Sequence, residues 1–282
     1  MRLKQTNSKI YVPDNLDTEM ALVRTTHLAI GAHQDDLEIM AIDGILQCFQ
    51  RKDKWFTGVV VTDGRGSPRT GLYADYSDEE MMAIRVVEQE KAARIGDYTA
   101  QLFLNYPSSA VKDSDNKDPV RDLENIIRVT SPEVIYTHNL ADKHPTHIGV
   151  AVKTIQAIRN LSSGERPKKI YGCEVWRALD WMMDEEKIAF DCSVKENMQL
   201  ALLGVFDSQV SGGKRYDIAT MGRRVANATY FASHGTDETT GQVFAMDLTP
   251  LIENPDLDIV EFVQGFISRF GQDVKTLISS VL

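Results

Sequence analysis

The chain has 282 residues, 43% hydrophobic and 26% charged, which suits a folded protein with a sizeable core and excludes wholesale disorder. Its 31 basic and 41 acidic residues leave a net charge of −10, which argues against nucleic acid or an anionic membrane as the main partner. The three cysteines, Cys48, Cys173 and Cys192, form no Cys-x-x-Cys pair, so they read as packing residues rather than a disulfide scaffold or thiolate zinc site.

Residues 1–26 read as a polar N-terminal extension, and residues 27–282 as a single α/β domain. The extension has no apolar core of signal-peptide length, and no stretch reaches the ~20 apolar residues of a membrane span. A cytoplasmic protein with no membrane partner is the expectation. The first strong strand is 27–32, followed by a helix over 37–50 and a strand over 55–62 with a β-branched run. A loop rich in Gly, Asp, Ser and Arg covers 63–77. A helix over 78–95 stops at Gly96. Strands at 101–106, 133–137 and 169–176 alternate with helices at 118–129 and 146–161. This rhythm predicts a Rossmann-like, mainly parallel sheet with helices on both faces. Beyond about residue 180 the rhythm loosens into a C-terminal elaboration, with helices at 194–205, 221–231 and 258–281 and an extended segment at 242–248.

Two clusters carry chemistry. Ala32-His33-Gln34-Asp35-Asp36-Leu37-Glu38 follows the first strand directly, where open parallel sheets bind ligands. One histidine and three carboxylates together are costly there unless a cation compensates them. The second cluster, His138-Asn139-Leu140-Ala141-Asp142-Lys143-His144-Pro145-Thr146-His147, also joins a strand to a helix and holds three of the six histidines. Imidazole and carboxylate suit zinc, and His33, Asp36 and His147 supply the three protein ligands of an open catalytic site. Asp35 is then placed to take a proton from water, and His144 to stabilise an oxyanion and protonate a leaving amine. Asp142 is expected to accept a hydrogen bond from His144. The plainer reading is that these acids only cap the following helix.

The first cluster resembles the Ala-His-Pro-Asp-Asp-x-Glu motif of the PIG-L/LmbE-like N-acetylglucosaminyl deacetylases. Asp142-x-His144-x-x-His147 is similar to their Asp-x-His-x-Asp-His motif, and Arg85-Val86-Val87-Glu88 with Ala92 to their Arg-x-x-Glu-x-x-x-Ala helix. Thr62-Asp63-Gly64, and more weakly Lys195 with Ser208-Gln209, extend the likeness over about residues 26–210. The resemblance implies a zinc-dependent hydrolase that removes an N-acetyl group from an amino-sugar or its conjugate. By position it makes His33, Asp36 and His147 the metal ligands, Asp35 the general base and His144 the acid on the oxyanion side. Gln34, Thr146 and Phe206 depart from the pattern and set the substrate apart without removing a ligand.

Arg85 and Asp63 are candidate substrate contacts. Arg85 with Glu88 is otherwise a surface pair, and Asp63 and Arg65 are otherwise turn residues. Trp176 and Trp181 are expected in the core, and His234 in a loop. A His-Asp-His site also accepts Fe²⁺, so a non-haem iron oxygenase is an alternative, although such enzymes commonly use β-barrels. A non-catalytic metal- or sugar-binding protein of the same fold is another. The sequence leaves a homo-oligomer open.

Overall fold

The computed structural model describes Met1 and residues 3–282. The N-terminal half contains β1 (Lys9–Tyr11), α1 (Thr18–Val23), β2 (His27–Gly31), α2 (Asp36–Met40), α3 (Ile42–Cys48), β3 (Phe56–Thr62), α4 (Asp78–Ile95) and β4 (Ala100–Tyr106). Next come α5 (Ser108–Lys112), α6 (Asp118–Thr130), β5 (Val134–His138), α7 (Pro145–Arg159) and β6 (Lys169–Cys173). The remainder is β7 (Lys187–Asp191), α8 (Glu196–Gly204), α9 (Asp207–Val210), α10 (Tyr216–Thr229), β8 (Gln242–Asp247), α11 (Thr249–Glu253) and α12 (Ile259–Val281).

The strands form one eight-stranded sheet in the order β1-β4-β3-β2-β5-β6-β8-β7. The stretch from β4 to β6 is parallel, while β1 pairs antiparallel with β4, and β8 antiparallel with both β6 and β7. Successive side chains point to opposite faces, so β2 sends Leu28 and Ile30 into one core and Ala29 into the other. Helices α6 and α7 cover the first core, and α2, α3 and α8 the second. Among the described residues no helix is long and apolar enough to cross a membrane. All three cysteines are buried and free.

The topology positions the site. The chain leaves β2 for β3 and β4 on one side, then returns to lay β5 on the other side. The crevice between the carboxyl ends of β2 and β5 is thus a topological switch point, where α/β sheets bind ligands. Gly31 closes β2, and a Cβ there would come 3.1 Å from the Asp36 Cβ, so glycine lets α2 fold back tightly over the strand. On the next strand's loop, Gly64 has φ +73, and a Cβ would meet Gln34 Oε1 at 2.5 Å.

Several expectations need correction. The segment expected as a polar N-terminal extension contributes to the packed fold, since β1 joins the sheet edge and the α1 residues Ala21 and Leu22 are buried. A three-residue strand is too short to show a period. The helix expected over 37–50 breaks at Ala41 (φ −105, ψ 26) into α2 and α3. The short elements α5, β7, α9 and α11 were also not expected, and the strand expected to reach 176 ends at Cys173. The C-terminal region completes the same sheet through β7 and β8.

Candidate active site

The β2–α2 loop supplies His33, Gln34 and Asp35. Asp35 adopts φ 87, a left-handed conformation that costs a side-chain-bearing residue roughly 1–3 kcal/mol. It occupies the N-cap of α2, yet its side chain makes no cap hydrogen bond. The carboxylate is therefore not spent on helix capping. Asp36 instead accepts the backbone N–H of His33 at 2.6 Å.

The β5–α7 loop supplies the second group. His144 caps α7, its Nδ1 accepting the Thr146 N–H at 3.3 Å, and Pro145 begins the helix where a missing N–H is harmless. In the neutral ring this hydrogen bond leaves the proton on Nε2. His147 lies one turn in and is fully buried.

The loops meet at three atoms. His33 Nδ1 is 3.2 Å from His147 Nε2, Asp36 Oδ2 is 3.3 Å from His33 Nδ1, and Asp36 Oδ2 is 3.4 Å from His147 Nε2. Bonds of 2.0–2.1 Å in a tetrahedral array imply ligand separations of roughly 3.3–3.4 Å. The triangle thus fits one small divalent ion. Two overlapping sets of groups can gather around an ion here: His33, His144 and His147, or Asp36, His138 and His147. In the second set, however, the Nε2 lone pair of His138 already accepts the Ala32 N–H at 2.9 Å. His138, fully buried, stacks on His147 with ring centroids 3.8 Å apart and packs it in place. Sequence reasoning gave His138 no role, because nothing in the spacing distinguishes a packing histidine from a ligand.

The electrostatics separate the two neighbouring aspartates. Burial pushes the Asp36 carboxyl up, but the imidazoles of His147, His138 and His33 outweigh it and hold it well below the usual range. Asp35 is raised well above that range by burial and by Asp36, Glu38 and Glu88, against the pull of Arg85, whose Nη2 is 3.5 Å away. Burial also lowers His147 to about 4, so the ring is neutral and its lone pair is free at physiological pH.

A cleft of about 360 Å³ opens over these groups, lined by His33, Asp35, Asp36, Arg85, His144 and Thr146 among others. Arg85 is no surface pair: it is buried, donates to Ser67 Oγ and the Gln34 carbonyl, and lines the cleft. Glu88 is buried too and receives the Ser208 N–H and hydroxyl at 2.7 and 2.6 Å, which brings Gln209 to the cleft wall. Asp63 stands behind the wall, its carboxylate held by Arg65 Nε at 2.8 Å, so it orders the loop. The Asp142 carboxylate accepts the backbone N–H groups of His144 and Trp176, at 2.9 and 3.0 Å, rather than the His144 ring. Trp176 is half-buried, packing against the second core and lining the cleft wall, whereas Trp181 packs near Phe270 of α12. His234 is exposed in a loop, as expected. Lys195 lies over the Phe49 ring, and Phe206 is buried. Tyr216, Lys112 and Lys214 also line the cleft and carry no motif that marks them in sequence.

The sequence model of the PIG-L family, described as GlcNAc-PI de-N-acetylase, matches residues 28–158. The uncharacterised deacetylase YaiS of Escherichia coli strain K12 is 31% identical over 136 residues, covering 48% of this chain and 68% of that protein. The chain belongs to the PIG-L deacetylase family. Both motif loops fall inside the PIG-L match, whereas α8 to α12 lie beyond it. Among solved structures, the N,N'-diacetylchitobiose deacetylase of Pyrococcus horikoshii is similar with a TM-score of 0.57 at 19% identity, over 78% of this chain and 83% of that one. The 4-carboxy-2-hydroxymuconate hydratase GalB of Pseudomonas putida has a TM-score of 0.59 at 14% identity, over 79% of this chain and 96% of that one. These likenesses show the fold. A fold shared by a deacetylase and a hydratase leaves the reaction to be argued from the site.

Proposed function

We propose that this PIG-L protein is a metal-dependent hydrolase that removes the N-acetyl group of an amino-sugar or amino-sugar conjugate, releasing acetate and a free amine. The observation that carries the reading is the triangle of His33 Nδ1, Asp36 Oδ2 and His147 Nε2, with edges of 3.2 to 3.4 Å. Two imidazole nitrogens and one carboxylate oxygen suit zinc first, with iron(II) as the competing ion. A bound divalent ion at this site supplies acidified water and polarises the amide carbonyl.

The chain's own residues do the rest. Asp35, whose carboxyl is not used as a cap, takes the proton of the attacking water. As the water oxygen bonds to the acyl carbon, the C–N bond breaks and the nitrogen must gain a proton. His144 lines the same cleft and carries its proton on Nε2, so it donates a hydrogen bond to the developing oxyanion and, as the C–N bond breaks, hands a proton to the amine while receiving the one that Asp35 took from the water, ending neutral as it began. Arg85 holds the Asp35 loop and presents its guanidinium to the substrate. The open, largely parallel sheet does not favour the oxygenase alternative.

The test is metal analysis followed by an amine-release screen across N-acetylated sugars. Asp35→Asn is expected to keep its metal and lose about 10²–10⁴-fold in turnover. An Asp35→Asn protein as active as wild type would refute the mechanism, and a wild-type protein that binds metal but releases no amine would favour a binding role.

A further inference from the structure

Helix α12 begins against the core and ends outside it. Ile259, Phe262 and Val263 pack on the first core, and Phe266 is buried in it. Arg269 then pairs with Glu186, and the Phe270 ring meets Trp181 edge-on with centroids 6.2 Å apart. From Gly271 the helix runs on for about three more turns with every residue except Asp273 exposed. Among the described residues, no apolar side chain of that last stretch joins either core.

The overhang is nevertheless apolar along one side. Ile267, Phe270, Val274, Leu277 and Val281 recur at alternating spacings of three and four residues, which sets them in one stripe. In heptad terms the β-branched Ile267, Val274 and Val281 take the a positions, and Phe270 and Leu277 the d positions. Ile278 widens the stripe at an e position. Exposure along it runs from 37% at Val274 to 82% at Val281. These six residues present on the order of 500 Å² per helix, scaled from the area per unit mass of an extended chain. Two such stripes face to face cover about 1,000 Å², the low end for a specific protein interface. A short helical overhang is marginal in water by itself, so it gains stability from a partner.

We infer that the stripe is covered by the same stripe of a second copy of this chain, the two α12 helices pairing in parallel about a twofold axis as a short coiled coil. The seam is self-complementary, because β-branched residues at a with Leu at d favour two parallel strands, and a twofold sets each such layer against its own copy. Between Gly271 and Ser280 the only charged residue at a flanking e or g position is Asp273. In a parallel pair a g position lies beside the e position of the next heptad, here Ile278, so no like charges meet across the seam. The helix carries two acids, Glu261 and Asp273, and two bases, Arg269 and Lys275. It therefore lacks the basic face with which an amphipathic helix holds an anionic membrane. The small area implies a reversible dimer, populated at micromolar concentration. The inference is independent of the deacetylase reading.

The experiment is sedimentation of the full chain over a concentration series through the micromolar range, at physiological ionic strength to screen repulsion between two bodies of net charge −10. Wild type is expected to pass from the mass of one chain towards that of two. Leu277→Glu and Val281→Glu, both on exposed side chains, are each expected to weaken association at least about tenfold with an unchanged Tm. Gln272→Glu, on the outer face, is expected to leave it unchanged. Pairing geometry is read from cysteines, since the three native ones are buried. On mild oxidation Leu277→Cys is expected to link two chains and Gln272→Cys is not. Flotation with phosphatidylcholine vesicles, with and without phosphatidylserine, is expected to leave the protein in solution. A wild type that stays at one chain's mass, a dimer that both glutamate variants leave intact, or one that Gln272→Cys links and Leu277→Cys does not would overturn the inference. So would vesicles that capture wild type but not Leu277→Glu, because the stripe would then serve a membrane.

Discussion

The Asp142 carboxylate faces Nδ1 of His147 at 3.6 Å, while its hydrogen bond to His144 goes to the backbone N–H. Asp142 therefore orients the ring whose other nitrogen points into the proposed metal triangle, and it also ties down the Trp176 N–H. A carboxylate behind a ligating histidine fixes its tautomer and raises its basicity. Asp142→Asn preserves an acceptor for the backbone but removes the charge behind His147. It is expected to weaken zinc binding about 10–100-fold, read by competition with a chromophoric chelator. Unchanged zinc affinity would show that Asp142 serves only the loop.

His144 has two separable jobs. Its Nδ1 caps α7, and its other nitrogen belongs to the cleft. His144→Ala is expected to reduce kcat about 10²–10⁴-fold while stoichiometric metal is retained. Loss of the cap should cost about 1 kcal/mol, or a few degrees in Tm. The contrary result is specific: if metal content drops in step with kcat, His144 is a ligand, joined with His33 and His147, with which it forms the other histidine set.

The motif loops were legible because their chemistry is local: histidines and carboxylates stand beside the ends of strong apolar strands. The α4 boundaries were legible for the same reason, with Ser77 and Glu80 forming a capping box and Gly96 ending the helix. What stayed hidden depends on distant partners. Arg85 and Glu88 read as a surface pair until α9 brings Ser208 over them. His138 and His147 are both fully buried histidines, and only the Ala32 N–H tells the packing ring from the proposed ligand. Trp176 faces the cleft because the chain turns after β6, which no periodicity records.

Acid stability should carry the mark of His27, at the opposite end of β2 from the site. Burial, reinforced by Lys54, lowers this imidazole from 6.5 to about 4. The folded state therefore resists protonation that the unfolded chain accepts. The contribution is complete above pH 6.5 and is lost as pH falls from there towards 4, at most about 3 kcal/mol. Urea unfolding of wild type and His27→Gln at pH 7.5 and 4.5 measures it. Wild type is expected to lose more stability than the variant over that interval, and parallel losses would show that His27 does not set the slope.

Arg224 joins the C-terminal region to α2 through a buried cation. It lies on α10, is 2% exposed, and donates to the Glu38 carbonyl at 2.8 Å, the Ile39 carbonyl at 3.4 Å and Gln199 Oε1 at 2.7 Å. No carboxylate pairs with it among the described residues, and burial lowers it to about 10. A cation kept at that cost against the carbonyl end of α2 holds the short helix that carries Asp36. Arg224→Met leaves those carbonyls unsatisfied and is expected to cost about 2–4 kcal/mol, several degrees in Tm. Because α2 bears the proposed ligand, zinc affinity should fall with it, and Arg224→Lys should recover part of both. A stable Arg224→Met protein with unaltered zinc affinity would show that the fold holds Asp36 without help from α10.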